Sequence, residues 1–331
     1  MGHSRLITDE ELSEYLEINS AASKAQALFL HQTANWKLAK ENYFKLKSVK
    51  KKTINFEGFK IVVQFNPGRI ISSSAKVDVK SIDERPCFLC TNNLPPEQRG
   101  IICDDNYFLL VNPFPIFDEH FTIPQLEHKP QVIYETFGDM LKIAKKLGIR
   151  YTTFYNGPKC GASAPDHMHF QASLKNMMPL EKEYSYINKN SKDLLNGEKI
   201  RVAVNLNYLR NCYLIESDDK MSTEVEFKKI YNSIKIITTS DDEPLMNIIV
   251  TYSDKWRIYI FPRKLHRPKQ FFAKGNAKIL LSPAAVDLGG ILITPREEDF
   301  QKISKDDIID IFEQTLLDEN IVEKISDHYC G

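Results

Sequence analysis

The stretch Gly161-Ala-Ser163-Ala-Pro-Asp-His167-Met-His169-Phe-Gln171 decides how this chain of 331 residues is read. Along a β-strand, side chains alternate between faces with period two. On a strand over 167–173, His167, His169 and Gln171 share one face. Met168 and Phe170 point the other way, into a core. Two imidazoles and an amide in a row on an open sheet face are costly unless a ligand, a metal or a substrate uses them. Just upstream, Gly157, Gly161 and Ser163 offer backbone N–H groups to an anion, as phosphate-cradling loops do. Histidine is abundantly neutral near pH 7, its free pKa being about 6.5. Set against such a loop, it points to nucleophilic attack on phosphorus through a phosphoramidate, which divides one hard transfer into two easier ones. Lys159, beside the glycines, is either a partner for a β-phosphate or a plain solvated lysine.

Outward from this stretch, the patterning alternates helix and strand. Ile133, Phe137, Met140, Leu141, Ala144 and Leu147 share one helical face, which predicts a helix from about Gln131 to Leu147 with Gly148 as its stop. Arg150–Tyr155, Tyr107–Asn112, His120–Pro124 and Phe59–Phe65 read as strands. The last ends at the turn Asn66-Pro67-Gly68-Arg69. Residues 9–50 read as helical, closed by the charge run Lys47–Lys52, which reads as a solvated loop. After about residue 200 the pattern repeats weakly. Val202–Leu206 and Tyr213–Glu216 form a hairpin, a helix runs through Val225 to Ile234, and Asn247–Tyr252 and Trp256–Pro262 are strands. The expectation is an α+β chain of two similar halves. Residues 1–55 form a helical segment, 56–180 one half and 200–320 the other. The polar connection from Lys175 to about Ile200 is not a Gly/Ser-rich linker, so the halves are expected to pack together.

Pro86-Cys87-Phe-Leu-Cys90 is by itself a redox pair, half a zinc site or two buried thiols. Zinc takes four N/S ligands, and His128 and His167 are candidates for the other two. Six cysteines in a chain this long make no disulfide scaffold. Cys103, Cys160, Cys212 and Cys330 read as thiols without a role, and His31, His120, His266 and His328 as structural. Arg69 is suited to clamp a phosphate bidentately and Asn66 to hold ribose or phosphate; the alternative is a surface arginine after a turn. Arg263 and Arg267 are phosphate candidates or part of a solvated basic rim. Trp36 reads as core rather than as a base-stacking platform.

The 44 basic and 44 acidic side chains cancel, which disfavours nucleic acid as the main partner. No run approaches the ~18 apolar residues of a membrane helix, and the first residues hold no apolar signal core. The expected location is the cytoplasm.

At residues 161–171 the chain resembles the transferase branch of the histidine-triad superfamily. That branch holds galactose-1-phosphate uridylyltransferase, diadenosine tetraphosphate phosphorylase and GDP-L-galactose phosphorylase. Its motif is H-x-H-x-Q; the hydrolase branch has a third His where Gln171 stands. The resemblance implies a histidine-triad-like fold in two halves, each with an antiparallel sheet and packed helices, the second half lacking the nucleophile. It implies that His169 attacks the α-phosphorus and that Gln171 hydrogen-bonds an oxygen of the covalent intermediate. Ser163, in the Gly161-Ala-Ser segment, would contact phosphate oxygens. The segment Val63–Arg69 is similar to one in the GDP-L-galactose phosphorylase group, and Gly289 and Gly290 match a close-packed C-terminal segment of the phosphorylases. One departure is clear: Ala164, Pro165 and Asp166 separate Ser163 from His167, where the branch pattern has two residues. Cys87, Cys90, His128 and His167 match the ligand positions of zinc-binding uridylyltransferases. This implies a supporting zinc that fixes His167 and so orients the backbone beside His169.

The function so implied is nucleotidyl transfer or phosphorolysis with a nucleotide-sugar or dinucleoside polyphosphate as donor. Inorganic phosphate or a sugar 1-phosphate is the acceptor, and the chain a monomer or homodimer. Two other readings are weighed. A hydrolase of nucleotide conjugates is disfavoured by Gln171. A non-enzymatic, zinc-stabilised nucleotide-binding module leaves His169 and Gln171 unexplained.

Overall fold

The computed structural model describes residues 5–70, 79–206 and 208–331. Its strands are β1 (Lys50–Asn55), β2 (Lys60–Phe65), β3 (Gly100–Asp104), β4 (Tyr107–Val111), β5 (His120–Pro124), β6 (Tyr151–Asn156) and β7 (His169–Leu174). The series continues with β8 (Ser191–Asn196), β9 (Ile200–Asn205), β10 (Cys212–Ser217), β11 (Met246–Tyr252), β12 (Trp256–Pro262) and β13 (Ile291–Thr294). Strands β3 to β12 make one ten-stranded sheet, order β3-β4-β5-β7-β6-β11-β12-β10-β9-β8. Every neighbouring pair in it is antiparallel.

The order itself shows the repeat. Five strands on each side meet at β6 and β11, where Asn156 faces Asn247 and Phe154 faces Ile249. Each half has the antiparallel sheet expected of it, and the two sheets join edge to edge at β6 and β11, which removes two exposed edges. The helices before the central strands, Phe137–Leu147 and Lys220–Ile237, pack over this seam. Phe137 stacks on Phe227 with ring centroids 3.7 Å apart.

Period-two alternation divides the sheet residues between two cores. Phe121, Ile123, Tyr155, Phe170 and Ala172 face the helices at 21–35, 137–147, 220–237 and 319–330. Phe154, Leu214, Ile249 and Tyr259 face the opposite core, shared with β2, β13 and the helix Lys305–Thr315. Burying a side chain of this size contributes roughly 1.5–3 kcal/mol, so the strand faces are not interchangeable. On the second face lies a small sheet, β1-β2-β13, whose Ile61, Val63 and Ile291–Ile293 join this core. Its β2–β13 pairing is parallel and brings Ile291–Thr294 from the far end of the chain onto Val62–Phe65. Gly290 is left-handed (φ 99°) in this return, and a Cβ on Gly289 would stand 2.4 Å from Met178 Sδ.

Several local expectations change. The helix expected from Gln131 starts at Phe137. Before it the backbone bonds elsewhere: Gln131 N–H to the Pro165 carbonyl and Ile133 N–H to Glu243. Strand β7 starts at His169, because a turn at Pro165–Asp166 precedes it. Lys50–Lys52, read as loop, begin β1; their ammonium groups stay outside, with Lys50 paired to Glu297 at 2.5 Å. The connection after Lys175 contains two short helices and edge strand β8. Among the described residues no helix is long and apolar enough to cross a membrane.

Candidate active site

A cleft of about 720 Å³ opens on the second face of the large sheet, with Ile293 of β13 on its wall. Thr122 of β5, Phe154 and Asn156 of β6, and His169 and Gln171 of β7 line its sheet side. The β6–β7 loop adds Gly161, Ala162 and Ser163. Gly161 is left-handed (φ 98°), and a Cβ there would come within 2.6 Å of the Ala284 Cβ, so only glycine lets the loop lie against segment 282–287.

His169 is 4% exposed at the edge of this space. Its Nδ1 lies 2.8 Å from the His167 carbonyl. A carbonyl only accepts, so Nδ1 carries the proton and Nε2 keeps its lone pair. Burial pulls the ring's pKa down to about 4, which keeps it neutral. The backbone beside it is held by Gln131, whose Oε1 accepts from His169 N–H at 2.7 Å. Gln131 Nε2 donates to the carbonyls of His169 and Asn156.

Gln171 is oriented in the same manner. The N–H of Ile116 donates to His120 Nδ1 at 3.4 Å, so His120 Nε2 carries hydrogen and donates to Gln171 Oε1 at 2.9 Å. The amide NH2 of Gln171 is then the end left for the cleft. His120 is fully buried, and burial, with the Arg69 charge next, pulls its pKa down to about 3. It cannot charge near neutrality, so this donor is permanent.

Cationic side chains enter from three segments. Arg69, following β2, lines the cleft and donates to the Phe114 carbonyl at 2.7 Å. Burial lowers its pKa to about 10, so it remains charged. Arg85 enters beside Ser163, and Arg267 from the second half beside Ser282. Trp36, at the break between helices 21–35 and 37–46, is 3% exposed yet forms part of the wall. Trp36 is thus core, as its reading expected, with one edge on the cleft. His266, read as structural, also lines the cleft.

Three residues assigned to substrate lie elsewhere. Asn66 donates its amide to the Pro115 carbonyl at 3.0 Å and lines a smaller cavity behind the loop. Lys159 points to solvent and pairs with Asp242 at 3.2 Å, because its loop turns it away from Gly161. Arg263 is 1% exposed and spends all five donors internally. Its partners are Asn247 Oδ1 and the carbonyls of Pro283, Thr315, Leu265 and His266. Arg263→Met, which orphans these acceptors, is expected to lower the melting temperature by about 5–10 °C. Lys159→Ala, which removes an exposed pair, is expected to shift it by less than about 1 °C. Thermal melts followed by circular dichroism check both.

Residues that sequence reasoning passed over include Arg85, His120, Gln131 and Asn156. Asn156 Oδ1 accepts from Asn247 Nδ2 and the Ala285 N–H, tying the two halves together at the cleft floor. For His120 a signal existed, since it lies on an apolar run like that of Gln171, but the register that puts it diagonal to Gln171 is not local information.

Beside the cleft, His167 turns away from His169. The chain before β7 is not a strand, so the two rings do not share a face. The ligand atoms of Cys87, Cys90, His128 and His167 all lie within 4.8 Å of one another. His167 Nδ1 stands 3.2 Å from Cys87 Sγ, and His128 Nδ1 3.2 Å from Cys90 Sγ. His167 Nε2 donates to the Gln125 carbonyl at 2.7 Å, which leaves its Nδ1 lone pair aimed into the group. Two thiols and two imidazoles converging in this way fit a tetrahedral metal of the zinc type. All six cysteines are free thiols.

A family model described as a domain of unknown function, DUF4922, matches residues 28–174. One described as "GDPGP1-like, C-terminal domain" matches residues 186–331. No curated protein matches the chain. Among solved structures, yeast Ap4A phosphorylase Apa2 is similar over nearly the whole molecule. In complex with AMP it gives a TM-score of 0.57 at 16% identity, covering 92% of this chain and 99% of that one. In complex with Ap4A the values are 0.56 and 16%, covering 91% and 99%. At that identity the likeness is one of fold.

Proposed function

We propose, from the premise that this chain belongs by fold and by its GDPGP1-like C-terminal domain to the transferase branch of the histidine-triad superfamily, that it transfers a nucleotidyl group through His169. The donor in this reading is a nucleotide-sugar or a dinucleoside polyphosphate. The acceptor is inorganic phosphate or a sugar 1-phosphate.

The observation that carries the reading is the 2.8 Å contact of His169 Nδ1 with the His167 carbonyl, which assigns the ring proton to Nδ1. With Nδ1–H given to the His167 carbonyl, Nε2 is an unprotonated nucleophile on the cleft side. Nε2 forms a bond to the α-phosphorus as the bond to the leaving oxygen breaks. Positive charge then develops on the ring, and the His167 carbonyl stabilises it through the Nδ1 proton. The Gln171 NH2, aimed by His120, donates to a non-bridging oxygen. Arg69 and the backbone of 161–163 offset the phosphate charge. An acceptor oxygen then attacks from the vacated side, the N–P bond breaks and neutral His169 returns. Gln171 offers no group to activate water, which favours an intermediate that waits for its acceptor.

Zinc held by Cys87, Cys90, His128 and His167 would supply structural cross-linking rather than Lewis-acid chemistry, since the group faces away from His169. The Asp287 carboxyl lines the cleft, pushed up to about 7 by burial, but its oxygens accept from the N–H groups of Ala284 and Ile293 and hold that segment.

The test is intact-mass detection of a nucleotidyl adduct after mixing the protein with a panel of nucleotide-sugars and dinucleoside polyphosphates. The expected result is one adduct per chain, discharged by phosphate or a sugar 1-phosphate and slowly by water. No adduct with any donor overturns the reading; discharge by water as fast as by acceptor turns it into the hydrolase.

The pH dependence follows from burial. A ring with a pKa of about 4 is neutral throughout the physiological range. Rapid-quench measurement of adduct formation is expected to be flat from about pH 8 down to about pH 5, then to fall roughly tenfold per unit below pH 4 as the ring protonates. An exposed histidine, titrating near 6.5, would already lose rate at about pH 6.

A further inference from the structure

Arg85 lies two residues before Cys87, and Asp166 lies one residue before His167. Each charge is therefore fixed to the chain beside one member of the metal-ligand group. The two meet across 81 residues of sequence: Arg85 Nη2 donates to Asp166 Oδ1 at 2.9 Å. The same nitrogen reaches the Ser163 carbonyl at 3.4 Å. Asp166 Oδ2 stands 3.9 Å from Nε2 of His128, the nitrogen turned away from the cluster. The side chains are 25% and 17% exposed, so the pair is shielded enough to act as a fixed strut.

Two facts argue against a merely decorative ion pair. Among the described residues the enclosed Arg85 Nη1 has no hydrogen-bond partner, so the guanidinium is not placed where these residues would satisfy it best. It is placed where it can hold Asp166 and Ser163 together while packing over Phe88, 4.8 Å away, and lining the cleft. Further, Asp166, the residue that Arg85 binds, sits in the turn at Pro165–Asp166 that ends the loop before β7.

We propose that the Arg85–Asp166 pair is a positioning device that makes the shape of the 161–167 loop depend on metal occupancy. The proposal rests on the reading above that the Cys/His group holds a metal. With the metal bound, Cys87 and His167 are tied together, and their neighbours Arg85 and Asp166 are held in register. Arg85 then reaches Ser163, and the loop keeps the form in which Gly161 to Ser163 line the cleft. Without the metal, segment 85–90 is anchored to the loop only by the ion pair and by the small packing of Cys87 and Leu89 on Ala164, and the hold on the Ser163 backbone weakens. Neither residue touches the reacting atoms in this account; both act through the loop.

The test is hydrogen–deuterium exchange of the full-length protein, read on peptides covering 157–168, with saturating zinc and after chelation. In the natural chain, chelation is expected to speed exchange in this loop roughly 10- to 100-fold. Asp166→Asn, with one zinc per chain retained by elemental analysis, is expected to show the fast loop with zinc present, and chelation then adds little. Arg85→Lys keeps the charge but not the forked reach, and is expected to reproduce the loosening. Asp166→Asn or Arg85→Lys with zinc retained and a fully protected loop overturns the proposal. Loss of zinc from Asp166→Asn at saturating metal also overturns it, because the pair would then belong to the metal site itself. A natural chain that holds zinc but whose loop ignores chelation overturns this inference alone. A chain that holds no metal overturns the metal reading as well, while nucleotidyl transfer to His169 stands or falls by its own mass measurement.

Discussion

Replacing His169 with Ala is expected to abolish the nucleotidyl adduct and to lower turnover by at least about 10⁴-fold, with little change in fold. The size of the effect follows from what is removed. Among the described residues that line the cleft, this ring is the imidazole whose unprotonated nitrogen is fixed by its own backbone, through Nδ1 and the His167 carbonyl. Neither of the two neighbouring imidazoles on this side of the sheet, nor the nearby thiol, can substitute. His167 is committed to Gln125 and the cysteines, and His120 to Ile116 and Gln171. The thiol of Cys160 is fully buried, and burial pushes its pKa up to about 12, so no thiolate is available. The fold is expected to survive because the ring lies at the cleft edge while Phe170 and Ala172 carry the packing of β7. Both half-reactions should vanish together, measured as adduct formation and as exchange of label between donor and acceptor. An adduct of full stoichiometry on His169→Ala would show that another atom is the nucleophile.

The second large effect concerns the thiols. Cys87→Ser is expected to remove the bound metal, to lower the melting temperature by about 5–10 °C, and to reduce nucleotidyl transfer at least about tenfold. Cys87 is buried, and its sulfur faces His167 Nδ1. A serine oxygen is shorter and is a poor ligand for a thiolate-preferring ion, so three remaining ligands would hold the metal weakly. The cost is not total unfolding, since the large cores on both faces of the ten-stranded sheet do not include this group. The small apolar cluster of Cys87, Leu89 and Ala164 is what loosens, and Ala164 lies in the loop that carries Ser163. Cys330→Ser, at the exposed end of the last helix, is the control and should change nothing. Zinc content, differential scanning calorimetry and adduct formation measure the three parts. A Cys87→Ser protein with normal metal content would refute the ligand set.

The two effects depend on different kinds of information. That His169 and Gln171 share a face, with Phe170 opposite, was legible because strand alternation is a local rule needing only the next residue. The helix Phe137–Leu147 was legible for the same reason, its apolar positions recurring within one turn or two. Its start was not, because the residues ahead of it spend their hydrogen bonds on Glu243 and on the loop at Pro165. The repeat of helix and strand was visible along the chain, whereas the merging of two sheets at β6 and β11 was not.

What the amino-acid order determined by itself is the chemistry on offer: a strand that presents an imidazole and an amide, a glycine loop before it, and a set of thiols and imidazoles suited to a metal. Only the tertiary structure decided which charges reach the cleft. Arg69, Arg85 and Arg267 line the cleft, while Lys159 pairs with Asp242 and Arg263 is consumed by carbonyls and one amide. The physical reason is range. A side chain's face is set by its immediate neighbours, but the partner of a long charged side chain is whatever the fold brings within about 3 Å, from residues tens or hundreds of positions away.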